Sequence, residues 1–291
     1  MNKPLFLNYN KTDLDREYDN RSKVSNAADY INRWTALSAQ VRTDGPAQLD
    51  IAYGPSEDET LDVFPVAGAS KAPVHVFFHG GYWKALHKND FSFVANGLRP
   101  AGAITVVVNY ALMPQVSMAE LIRQCRAALD WVWRHAAEFG GDREQIYISG
   151  HSAGGHITAM MLTTDWPDFA PGLPSNLVKG ACGISGLYDL EPIQLCFLND
   201  DLHLTVEQAQ QHSPIRLPCR NPAPLLLPLG GLEGPEYLRQ SETLAEHWGQ
   251  QTSPPQVWLL PEHNHFSIAA QLETADSELS RAIQRQMGLL D

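Results

Sequence analysis

Gly150-His151-Ser152-Ala153-Gly154 sets one serine between two glycines, directly after the apolar run Ile146-Tyr147-Ile148 and before a helix-compatible stretch. In a strand, turn and helix context this spacing holds the hydroxyl on a sharp, exposed bend, where it can attack an acyl carbon once a base takes its proton. Alone, the pentapeptide reads equally well as a packing turn of a doubly wound sheet, with Ser152 capping the helix. A second motif decides between the two. Val74-His75-Val76-Phe77-Phe78 has the pattern of a buried strand and runs into His79-Gly80-Gly81-Tyr82-Trp83. Glycines in that place let the backbone approach a tetrahedral intermediate, so the amides of Gly80 and Gly81, with that of Ala153, are candidate oxyanion donors.

The base must come from late in the chain if the order is serine, acid, histidine. Gln256 to Leu260 is the last strand-like run, and Pro261-Glu262-His263-Asn264-His265-Phe266 follows it. His265 is preferred because it directly precedes the C-terminal helix, where a loop imidazole can lean over the sheet edge; His263 is the alternative. The acid belongs in the loop from Gly230 to Tyr237 after the preceding strand, and Glu233 in its middle is assigned to orient the imidazole. Glu236 falls in the first turn of the next helix, where a carboxylate meets the helix dipole. Tyr82 and Trp83, directly beside the oxyanion loop, are candidate substrate contacts, with Tyr188 and Phe266 behind them. Lys84 follows Tyr82 and Trp83 in sequence. His75, His79 and His87 lack a ligand pattern and an acidic partner, so neither a metal nor a cofactor is expected.

These residues resemble the kynurenine formamidase (arylformamidase) family of α/β-hydrolases, related to hormone-sensitive-lipase-like carboxylesterases. The likeness rests on His79-Gly80-Gly81-Tyr82-Trp83, on Gly150 to His156, on Ser185-Gly186-Leu187-Tyr188-Asp189-Leu190, on Pro235-Glu236-Tyr237 with Arg239-Gln240-Ser241, and on His265-Phe266. It reaches the N-terminal Leu14 to Arg21, and so spans nearly the whole chain. The family's nucleophile falls on Ser152 and its histidine on His265. Its acid, usually an aspartate, falls on Glu233, a departure from the pattern. The resemblance implies hydrolysis of N-formyl-L-kynurenine or a close aryl formamide through an acyl-enzyme, with a carboxylesterase for small acyl esters as the alternative. A silent hydrolase-fold binding protein is the competing reading from another class, disfavoured because all three triad positions hold competent residues.

The elements that must position these groups alternate along the chain. Segments 48–53 and 60–66 suggest an antiparallel pair; strands at 74–78, 104–109, 146–150, 178–184, 224–229 and 256–260 then alternate with helices. The clearest helix, Met118 to Ala137, repeats Leu121, Cys125, Ala128, Leu129 and Val132 at three- and four-residue steps. The expected fold is thus α/β, a mostly parallel eight-stranded sheet with helices on both faces, in one domain over 1–291. Residues 1–45, with Tyr18, Tyr30, Trp34 and Leu37 among charges, read as a helical N-terminal arm, and 189–222 as an insertion where lids occur.

Composition sets outer bounds. The 291 residues are 44% hydrophobic and carry a net charge of −12, which disfavours nucleic acid as a partner. The four cysteines lack zinc or redox spacing and read as free thiols. Met1 to Asn20 lacks an apolar signal core, and no run approaches the roughly 18 apolar residues that span a bilayer. A soluble, cytoplasmic protein is expected, acting on a small-molecule substrate, with no membrane partner and with a homodimer left open.

Overall fold

Side chains along the central strands alternate between two cores, one on each face of a sheet. The computed structural model describes residues 3–251 and 253–291; residues 1 and 2 of the expected arm lie outside the described residues. The strands are β1 (Gln48–Ala52), β2 (Thr60–Phe64), β3 (Ala72–Phe78), β4 (Ile104–Val108), β5 (Gly141–His151), β6 (Val178–Ile184), β7 (Leu225–Gly230) and β8 (Gln256–Leu260). Their spatial order is β1-β2-β4-β3-β5-β6-β7-β8. β1 and β2 pair antiparallel and β2 meets β4 antiparallel, whereas β4 through β8 run parallel. This is the architecture expected from the sequence.

On one face Val74, Val76 and Phe78 of β3 and Ile146 and Ile148 of β5 pack against the helices Met118–His135, Ala153–Leu162 and Pro235–Gly249. On the other, Phe77, Val107 and Cys182 meet Leu279 and Ile283 of the helix Glu278–Gln286. Strands buried on both faces read as near-continuous apolar runs, which is why β3 and β4 stand out in the sequence. The long amphipathic helix ends at His135 and tightens into a 3₁₀ turn, Ala136–Phe139. All four cysteines are free, and no helix is long and apolar enough to cross a membrane among the described residues.

The N-terminal arm consists of helices Lys11–Tyr18, Asn20–Lys23 and Ala27–Thr43. Leu14 and Tyr18 join the first core, and Ala27, Trp34 and Val41 join the second. The arm therefore reaches both faces of the sheet. Buried charge fixes its far end: Asp62 of β2, fully buried, pairs with Arg42 of the arm and accepts from Lys88 Nζ at 2.7 Å. Residues 189–222 hold three short helices, Glu191–Leu195, Asn199–Leu202 and Val206–Gln211, and a 3₁₀ turn at Pro214–Arg216.

His75 is buried on β3 with neither ring nitrogen hydrogen-bonded among the described residues. Burial alone pulls its imidazole down to about 3, and burial likewise takes His156 to about 3. A histidine depressed this way stabilises the fold fully above its unfolded value of about 6.5, and the contribution is lost as pH falls toward the folded value. Each such histidine is expected to cost about 3 kcal/mol of folding free energy by roughly pH 4.5. Urea unfolding across that range should therefore show a shallower acid decline for His75→Leu than for the parent; parallel declines would contradict the assignment.

Candidate active site

The bend at Ser152 is built from close backbone packing. β5 ends at His151 and the helix Ala153–Leu162 begins one residue after Ser152, which adopts φ +59° and ψ −118°. Such a conformation costs a non-glycine residue about 1–3 kcal/mol, and the surroundings hold it in place. A Cβ on Gly150 would lie 2.2 Å from the Gly154 carbonyl oxygen, and one on Gly154 would lie 2.0 Å from that of Phe78. Only glycine permits these approaches. Ser152 N–H donates to the Ile184 carbonyl at 2.8 Å, tying the bend to β6.

His265 Nε2 lies 3.0 Å from Ser152 Oγ, and His265 Nδ1 lies 2.6 Å from Glu233 Oε2. The structure thus brings Ser152, His265 and Glu233 into one hydrogen-bonded line, each of them buried. Glu233 stands between β7 and the helix Pro235–Gly249. Its other oxygen, Oε1, accepts from Ser185 Oγ at 2.6 Å and from the Gly230 amide, so both lone-pair-bearing oxygens are satisfied in a buried place. His263 is turned elsewhere, toward Ser267 Oγ at 3.1 Å and the Gln271 amide. After His265 the chain makes a 3₁₀ turn, Ala269–Glu273, before the last helix, so the expected direct entry into that helix is replaced by a turn.

The oxyanion loop is held by its carbonyls. His79 Nδ1–H donates to the Gly80 carbonyl at 2.8 Å, and Tyr110 Oη–H donates to the His79 carbonyl at 2.6 Å. In a trans peptide the N–H opposes the C=O, so these two bonds turn the amides of Gly81 and Gly80 away from the His79 and Tyr110 side chains. The amides of Gly80, Gly81 and Ala153 have no acceptor among the described residues. Gly81 takes φ +113°, and a Cβ there would meet the Ala85 oxygen at 2.0 Å. His79 stacks on Tyr110 at 4.2 Å, and burial lowers its imidazole to about 4, leaving a neutral ring whose Nδ1 proton is committed to Gly80. His75, His79 and His87 do not converge: the first faces the core, the second holds the loop, and His87 caps the turn Lys88–Asp90.

A cavity of about 280 Å³ opens on Ser152 and His265. Its apolar walls are Ile31, Tyr82, Leu86, Phe197, Leu198 and Phe266. Tyr82 lines the cavity, its hydroxyl donating to the Tyr18 carbonyl at 2.7 Å. Trp83 does not: it is fully buried in the core, its indole N–H given to His156 Nδ1 at 3.1 Å. Tyr82 and Trp83 have φ of +49° and +58°, and the turn sends the two neighbouring rings to different places. Tyr188 is also core, its hydroxyl on the Gly183 carbonyl. Tyr18, Asn20 and Arg21 of the arm also line the cavity; Tyr18 stood out among charges in the sequence, whereas Asn20 and Arg21 were not singled out as site residues.

A hydroxyl beside an imidazole, backed by a buried carboxylate and facing free amides, can carry out acyl transfer. Residues 61–227 match the BD-FAE family. The chain is 33% identical over 249 residues to a kynurenine formamidase of Danio rerio, covering 82% of each protein, and 32% identical over 294 residues to a kynurenine formamidase of Salmo salar, covering 96% of this chain and 97% of that one. The BD-FAE match covers more than half of the chain. A crystal structure from Silicibacter sp. TM1040, described as that of a thioesterase, superposes with a TM-score of 0.83 at 30% identity, covering 93% of this chain and 98% of the other.

A fluorophosphonate probe is expected to label Ser152 in the folded protein and not the Ser152→Ala variant. Glu233→Gln keeps the shape but favours the wrong imidazole tautomer, and kcat should fall by about 10³- to 10⁴-fold with folding intact. Labelling that persists in Ser152→Ala, or a Glu233→Gln variant of parental kcat, would refute the roles drawn from this geometry.

Proposed function

The chain belongs to the kynurenine formamidase family of α/β-hydrolases, and from that premise we propose that it hydrolyses N-formyl-L-kynurenine to kynurenine and formate. The observation that carries this is the 3.0 Å contact between His265 Nε2 and Ser152 Oγ at the base of an aromatic-walled cavity. Ser152 Oγ attacks the formyl carbon as His265 Nε2 takes its proton, and the amides of Gly80, Gly81 and Ala153 receive the oxyanion. His265 then protonates the departing aryl nitrogen, the C–N bond breaks, and a formyl ester remains on Ser152. Water, deprotonated by the same imidazole, releases formate. The nitrogen lone pair of an aniline is delocalised into its ring, so its departure is easier than that of an alkyl amine.

Room around the hydroxyl supports a small acyl group. A Cβ on Gly80 would lie 3.2 Å from Ser152 Cβ and 3.3 Å from His151 Nδ1, so the loop and the nucleophile are nearly in contact there. The apolar wall that Tyr82, Phe197 and Phe266 contribute to the cavity is assigned to the leaving group. This reaction belongs to tryptophan catabolism, and four free thiols suit a reducing compartment such as the cytoplasm. A second reading, hydrolysis of small acyl esters, uses the same parts and is favoured by the likeness to the protein described as a thioesterase.

The two readings separate on substrates. The specificity constant for N-formyl-L-kynurenine should exceed that for 4-nitrophenyl acetate, and lengthening the acyl group to butyrate should cost roughly tenfold more. A butyrate constant far above that for formylkynurenine would overturn the formamidase reading.

A further inference from the structure

An aryl formamide leaves most of its body unreacted, and the cavity wall shows what could hold it. Three side chains with full charges line the cavity: Asp19, Arg21 and Lys84. Lys84 Nζ is already paired with Asp201. Asp19 caps the short helix Asn20–Lys23, its Oδ1 accepting from the Ser22 amide at 3.2 Å. Arg21 makes no hydrogen bond or ion pair among the described residues.

The backbone that carries this free guanidinium is nevertheless fixed on both sides. Asn20, buried, donates through Nδ2 to the hydroxyls of Tyr82 at 2.9 Å and Tyr237 at 2.6 Å. Lys23 Nζ donates to the carbonyls of Glu17 at 2.7 Å and Glu233 at 2.8 Å. Tyr18 Oη–H donates to Glu236 Oε2 at 2.9 Å. A planar fork of donors, unneutralised and carried on anchored backbone in the wall that also holds Ser152, matches a carboxylate in shape and charge. Asp19, with the opposite charge on the same wall, makes a zwitterion a better fit than a bare anion.

Resting on the formamidase reading of the Ser152 site, we infer that Arg21 binds the carboxylate of an α-amino-acid substrate and so selects aryl formamides that bear an amino-acid side arm. The contact is remote from the reacting carbon and is made equally in ground and transition states, so it acts through KM more than through kcat.

The test compares the full-length parent with Arg21→Gln and Arg21→Lys on three substrates: N-formyl-L-kynurenine, its decarboxylated analogue and formanilide. Arg21→Gln should lose roughly ten- to hundredfold in kcat/KM on the first, mainly in KM, and keep its activity on the two substrates without a carboxylate. Arg21→Lys should recover part of the loss, since it restores the charge without the fork. Equal losses on all three, or no loss on any, overturn the assignment. If the parent cleaves no formamide, the formamidase reading has failed separately. O-acetyl-L-tyrosine against 4-methylphenyl acetate then tests Arg21 alone, a selective loss on the first supporting the inference and an equal effect on both ending it.

Discussion

The contact between Ser152 Oγ and His265 Nε2 joins residues 113 positions apart, and most of the molecule serves to hold it within a few tenths of an ångström. Parallel register does the coarse work. Phe78 stands opposite Gly150, Gly150 opposite Gly183, and Gly230 opposite Leu260, so the loops after β3, β5, β7 and β8 leave the sheet at one edge. A two-residue slip in any pair would displace a loop by about 7 Å, far beyond the reach of a hydrogen bond. Finer positioning comes from polar contacts to main chain. His151 Nε2–H donates to the His265 carbonyl at 2.8 Å, tying the residue before the nucleophile to the backbone of the base.

That tie sets a second imidazole beside the first, with ring centroids 4.6 Å apart. Two imidazolium ions at this distance would repel, and the charge that the proposed mechanism develops on His265 would be opposed. Burial first, and the neighbouring His265 second, hold the His151 imidazole well below its ordinary range. In the proposed mechanism His151 therefore stays neutral while His265 carries the transferred proton beside the Glu233 carboxylate. The network Ser185–Glu233–His265 shows the same logic from the acid side, since a buried carboxylate needs donors on both oxygens to keep one orientation.

Much of this was legible in the sequence because its causes are local. The glycines of the elbow and of the oxyanion loop are dictated by close approach over a few residues, and chain order places acid and base after the nucleophile. Runs such as Val74 to Phe78 declare a doubly buried strand by composition. Trp83 was misplaced because a left-handed turn at two successive residues redirects neighbouring side chains, and sequence adjacency carries no such information. Which residues of the arm line the cavity was hidden for a different reason. Tyr18 meets Glu236 across 218 positions and Asn20 meets Tyr237 across 217, and pairings of that range leave no periodic trace.

The division of labour that results is spatial. Chemistry lies at strand ends, where the sheet fixes geometry, while the cavity is walled by segments outside the sheet: the arm at residues 18–21 and Ile31, the loop 81–86, and Phe197 and Leu198 of the insertion. Segments of this kind can change without disturbing the register, so one catalytic frame can serve different leaving groups. Here, however, wall and frame are not independent. Lys23 Nζ reaches from the arm to the backbone carbonyl of Glu233, and burial lowers the Lys23 ammonium from its ordinary range even as Glu17 and Glu233 oppose that shift. A movement of the arm large enough to open the cavity would strip that ammonium of its acceptors and pull on the loop that orients His265. The substrate-facing wall thereby shares the stability of the catalytic line, which argues for a cavity formed before substrate arrives rather than one closed over it.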